Sequence, residues 1–130
     1  MASYPDDLRY TTSHVWVRPR DTLVTVGITA VAAEKLGAAG FLELPYPGEL
    51  FKAGEMLLRI SGEHESSAVK MPLIGQVNAV NQALNDAPGL VNSDPYGAGW
   101  LARIEPNDVA DADDLMDAAA YAEYVSGGGE

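Results

Sequence analysis

The chemical capacity of this chain is concentrated in a few side chains. Two histidines, His14 and His64, stand in distant segments, and His64 lies in the polar run Gly62-Glu-His-Glu-Ser-Ser67. An imidazole flanked by Glu63 and Glu65 and followed by Ser66 and Ser67 offers metal binding, group acceptance or contact with a partner. Nothing in the spacing marks a serine that either histidine would activate, so no nucleophile–base pair is assigned. There is no cysteine, which removes thiolate metal sites, cysteine nucleophiles and disulfides together. Asp111, Asp113 and Asp114 do not have the spacing or the loop glycine of a calcium hand, and they read as acids at the start of a helix. Gly97-Ala-Gly99 is too short for a phosphate loop. No metal site is expected, and catalysis by His64 with Glu63 or Glu65 lacks any recognised spacing.

The elements that must position these groups are mostly strands. Up to Ile104, alternating and short apolar runs are bounded by glycine and proline, the pattern of a β-rich domain. Val15 to Val17 and Leu23 to Ile28 read as paired strands, with Arg18 to Asp21 turning between them. Further strands are expected at 41–44, 56–60, 68–71, 76–80 and 101–104. Pro45, Pro47, Pro72 and Pro88 fall where strands should end. Ala30 to Leu36 is the one helical interruption, stopped by Gly37. After 104 the pattern changes: Asp111 to Tyr124 carries Leu115, Met116, Ala119 and Ala122 at helical spacing, which predicts an amphipathic C-terminal helix. Residues 126–130 read as a frayed tail. The expectation is a single domain, with a core over about 8–104 and a helix over about 111–124. Trp16 and Trp100 are expected in the core or a cleft.

Composition narrows the partners. The 130 residues are 47% hydrophobic and 21% charged, which suits a globular domain able to bury a core. The net charge is −11, and Arg103 is the last basic residue, so eight of the 19 acids follow it. No basic patch large enough to track a phosphate backbone is evident, so no nucleic acid partner is expected. No apolar run approaches the roughly 20 residues of a membrane span, and the amino terminus lacks the pattern of a signal peptide. A cytoplasmic protein without a membrane role is expected. The acids either steer the domain toward a basic protein or keep it dissolved.

Several segments, in order, resemble the glycine cleavage system H protein family. They are Tyr10-Thr-Thr-Ser-His14-Val-Trp16-Val, Val26-Gly-Ile-Thr29, Leu36-Gly37, Phe41-Leu-Glu43-Leu-Pro45, Pro47-Gly48 and Lys52-Ala-Gly-Glu55. Glu55 to Gly75, Asn81-Gln-Ala-Leu84, Leu90-Val-Asn92, Asp94-Pro-Tyr-Gly97 and Gly99-Trp100-Leu complete the run. The resemblance implies a mainly β, lipoyl-domain-like fold, a flattened barrel or sandwich (a barrel-sandwich hybrid) with a short internal helix and a C-terminal helix. It also implies a monomer, and a lysine at a hairpin tip, eight residues before a proline, as the lipoyl attachment point. Counting back eight from Pro72 gives His64.

Other positions around that site depart from the family in the same direction. Val15 replaces the glutamate between the family's histidine and tryptophan. Ala68 stands in place of an aspartate, and Ser61 in place of a glutamate. A lipoyl amide requires a primary amine, and its imidazole counterpart would be an acyl-imidazole that hydrolyses readily. Lys70, in Val69-Lys70-Met71, resembles the Met-Lys-Met motif of biotin carriers, but it lies two residues before Pro72 and belongs to the outgoing strand. His14 matches a framework residue and is expected to be packed or hydrogen-bonded.

From these departures the sequence predicts a non-lipoylated H-protein-like domain, with lipoate and any other cofactor absent. It would dock a protein partner, possibly homologous to a glycine cleavage enzyme, through Glu63, His64, Glu65, Ser66 and Ser67. The alternatives are a repurposed carrier of another group on the 61–71 hairpin, at His64, Ser66, Ser67 or Lys70, and an enzyme using His64 in a vacated cleft. Against all of these stands a solvated tip residue with no selected role.

Overall fold

The computed structural model describes residues 5–20 and 22–127. It begins with β1 (Arg9–Tyr10), β2 (Val15–Arg20) and β3 (Leu23–Ile28). The turn expected at Arg18 is later and tighter: β2 continues through Pro19, opposite Val24, to Arg20, opposite Leu23. β1 covers only Trp16 and Val17, so Pro19 falls on a stretch of β2 with one uncovered edge, where proline is tolerated.

The internal helix α1 (Ala30–Leu36) has the limits read from the sequence. The Thr29 side chain accepts from the Ala32 N–H at its start, and Lys35 sits in its last turn. Gly37 ends it at φ 75° and ψ −163°, donating its N–H to Ala33 O. That backbone region is open essentially to glycine alone.

Next come β4 (Ala39–Glu43), β5 (Leu50–Phe51), β6 (Met56–Gly62), β7 (Ser66–Lys70) and β8 (Gly75–Val80). Two one-turn helices, α2 (Ala83–Asp86) and α3 (Leu90–Ser93), lead to β9 (Ala102–Pro106). Pro88 therefore separates two short helices instead of ending a strand, a correction to the sequence reading. The strands form a six-stranded sheet in the order β1-β2-β3-β9-β8-β5 and a three-stranded sheet in the order β4-β6-β7. Every pairing is antiparallel.

β9 shows how the core is specified: Ala102, Ile104 and Pro106 are buried while Arg103 and Glu105 face solvent. Val17, Val24, Val26, Val77 and Ile104 of the larger sheet share one apolar cluster with Leu42, Leu58, Ile60 and Val69 of the smaller. Irregularities in pairing at Ala39/Phe41, Met56/Leu58 and Val77/Ala79 bend the sheets. The fold is mainly β, a flattened sandwich of two sheets.

The helix expected over 111–124 is two pieces. A 3-10 helix covers Val109–Asp114 and α4 covers Ala118–Ser126. Met116 between them is extended and exchanges both backbone hydrogen bonds with Tyr10, at 2.8 and 3.0 Å. Asp117 restarts the helix by accepting from the Ala120 N–H. Asp111, Asp113 and Asp114 thus belong to the 3-10 turn, not to the first turn of α4. Ser126 closes α4 rather than opening a tail, and 128–130 lie outside the described residues.

α4 is anchored by side chains. Tyr121 is fully buried, stacks on Tyr10 with ring centroids 4.6 Å apart, and shares 2.7 Å hydrogen bonds with His14 Nδ1 and Thr29 Oγ1. No helix among the described residues is long and apolar enough to cross a membrane.

Candidate functional site

β6 and β7 form the hairpin expected from the sequence, paired from Met56↔Lys70 to Ser61↔Ser66. Glu63, His64 and Glu65 make its tip, closed by a 2.9 Å bond from the Gly62 N–H to Glu65 O. Glu63, His64, Glu65 and Ser66 are exposed, and Ser67 is half-buried. The tip is therefore where residue counting from Pro72 placed it, with His64 at its centre.

The tip rests on the end of α1. The His64 N–H donates to Leu36 O and the Glu63 N–H to Ala38 O, both at 2.9 Å. Leu36 O is one of the carbonyls a helix end leaves unsatisfied, so the hairpin completes the helix cap. Two glycines allow this close approach. A Cβ on Gly37 would lie 2.5 Å from His64 Cδ2, and one on Gly62 would press into the backbone and side chain of Leu36. Asn92, on α3, holds the socket in place. Its Nδ2 donates to Gly37 O at 2.7 Å and Ala33 O at 3.2 Å, and its Oδ1 accepts from the Ala39 N–H at 2.8 Å. Sequence reasoning missed Asn92's part. A polar residue facing a helix end carries no periodic signal, and the resemblance in Leu90-Val-Asn92 does not say what it bonds.

The remaining sequence candidates are dispersed. Lys70 is exposed at the foot of the hairpin. Six residues of strand geometry put it roughly 20 Å along the chain from His64. Val15 is buried in β2 of the six-stranded sheet, whereas Ala68 is exposed on β7 of the other. His14 is buried and bonded to Tyr121, as a structural histidine should be. Trp16 is fully buried, its Nε1–H donating to Pro95 O at 2.8 Å. Among the described residues no group of histidines and carboxylates is arranged to hold a metal ion. Among the described residues, His64 lines none of three surface cavities of about 710, 400 and 390 Å³. The exposed side chains of 63–66 are open to contact with another molecule.

A family model described as Glycine cleavage H-protein matches residues 8–127. The chain belongs to the glycine cleavage H-protein family. A protein named Glycine cleavage system H protein from Halorhodospira halophila is 46% identical over 127 residues, 97% of this chain and 98% of the relative. Another of that name, from Bacteroides thetaiotaomicron, is 42% identical over 125 residues, covering 96% and 99%. The crystal structure of a glycine cleavage system H protein from Mycobacterium marinum matches with a TM-score of 0.85 and 38% identity, covering 95% of this chain and 99% of that one.

These likenesses correct the function read from the sequence. A non-lipoylated docking module was inferred from a handful of positions around residue 64, and the repurposed carrier and the enzyme in a vacated cleft rested on the same positions. Likeness over nearly the whole length, to proteins bearing the glycine cleavage system's own name, overturns that inference.

Proposed function

We propose that this chain acts on the enzymes of a glycine cleavage system in the H-protein role, offering them its β6–β7 hairpin. The observation that supports the role is likeness to H proteins over nearly the whole chain, combined with a β6–β7 hairpin that is seated on α1 and leaves through Pro72–Gly75. In this reading the protein partner is a glycine cleavage enzyme, met through Glu63 to Ser67. The chain acts as a monomer in the cytoplasm, away from nucleic acid and membrane.

The lipoyl group that the family resemblance implies does not fit position 64. Its amide needs a primary amine, and the tip supplies an imidazole. Lys70 is the one lysine of the hairpin, and it lies at the opposite end from the tip. We infer that lipoate is absent from His64.

The test separates the domain from its tip residue. Unmodified wild-type chain is added as a competitor to a lipoylated relative working with its glycine cleavage enzymes. The His64→Lys variant, treated with lipoate ligase, is then assayed as the sole H component. Competition by the wild type and turnover with the lipoylated variant are expected, and the absence of both would sink the role. Intact mass of the protein from its own host checks the second inference, which a lipoyl mass mapped to His64 would overturn.

A further inference from the structure

The chain is strongly acidic, yet three of its five arginines converge on one face of the larger sheet. The convergence follows from strand geometry. Arg18 and Arg20, two apart on β2, point to the same side. Register carries the row across the sheet, Arg18 opposite Thr25 on β3 and Thr25 opposite Arg103 on β9. Two strand spacings place Arg18 and Arg103 about 10 Å apart at the backbone. Between them opens a cavity of about 400 Å³, lined by Arg18, Arg20, Thr22, Thr25, Trp100 and Arg103.

Two of the guanidinium groups are already held. Arg18 donates to Tyr96 O at 3.0 Å and lies 5.1 Å from the centre of the Trp16 ring. Arg103 lies 4.7 Å from the centre of the Trp100 ring. Asp7 takes part of the Arg18 charge at 3.7 Å, but Arg20 and Arg103 make no ion pair with any described residue. Asp21, next to Arg20 in sequence, lies outside the described residues. Three positive groups gathered this way repel one another, and an anion between them would relieve that repulsion.

We propose that this pocket binds a small molecule bearing a phosphate or carboxylate group. The guanidinium forks match either oxyanion, Thr22 and Thr25 add hydroxyl donors, and Trp100 forms an apolar wall. The site is independent of the hairpin and of the proposed role.

Pyrophosphate and citrate are titrated separately into the full-length chain while the tryptophan indole N–H signals are followed by NMR. A saturable shift of the Trp100 signal with at least one anion is expected, and their ranking separates phosphate from carboxylate. The Arg20→Gln/Arg103→Gln variant, checked for an unchanged melting profile, should bind about tenfold more weakly or worse. Arg103→Lys should fall between, because it keeps the charge and loses the fork. Lys52→Gln, outside the pocket, should bind like wild type. No saturation with either anion, undiminished binding by the double variant, or an equal loss in Lys52→Gln would each overturn the proposal.

Discussion

At the hairpin end of the molecule the main chain does the holding. The amides of Glu63 and His64 donate to the carbonyls of Ala38 and Leu36, while the side chains of 63–66 face solvent. At the α4 end side chains do it: Tyr121 stacks on Tyr10 and hydrogen-bonds His14 and Thr29, joining the C-terminal helix to β1, to the residue before β2 and to the start of α1. A backbone bond survives most substitutions, whereas an interlocked aromatic cluster does not. The fold can therefore change cheaply at the solvent-facing side chains of the hairpin tip, position 64 among them.

The sharpest way to break the contrast is at its rigid end. Tyr121→Ala removes a fully buried ring with two hydrogen bonds, and should cost about 3–5 kcal/mol in urea unfolding. Gly37→Ala tests one of the two glycines that the seat of the tip requires. It forces a side chain into a glycine-only conformation and against the His64 ring, so it should cost about 1–3 kcal/mol and shift the His64 ring signals in NMR.

Tyr10 probes the rigid end by pH. Burial first, then the neighbouring Tyr96 and Asp7, push its hydroxyl well above the ordinary tyrosine range, so the folded protein favours the neutral form. Its contribution is complete below the unfolded value of about 10 and declines as pH rises beyond it, by about 1 kcal/mol per pH unit. Stability measured at pH 9, 10 and 11 should show that decline, and Tyr10→Phe should flatten it. The smallest effect is expected at the tip. His64→Ala should change unfolding stability by no more than about 0.5 kcal/mol, and a larger loss would show that the ring, not the backbone, seats the hairpin.

Much of the fold was legible because its signals were local. Gly37 stops α1 by cap chemistry, and the alternation in β9 needs no tertiary knowledge. What escaped was set by distant partners. β1 and β5 are two residues each, too short for any period, and exist because β2 and β8 offer them an edge. The gap between the 3-10 helix and α4 arises because Met116 pairs with Tyr10, which no helical pattern in 111–124 could disclose. At the site, the placement of His64 at the tip came from the family resemblance, which implies a tip eight residues before the proline, here Pro72. The function did not follow from it for a different reason: side-chain identity at a few positions, His64 among them, says less about the family than likeness over nearly the whole chain.

Because the tip's amides are tied to Leu36 and Ala38, the chain emerges from the sandwich at a fixed place and in a fixed direction, whatever side chain stands there. Position 64 is in that sense a mounting point. A fluorophore or spin label introduced on a cysteine at this position, in a chain that has no cysteine of its own, would report the approach of a partner from one defined spot.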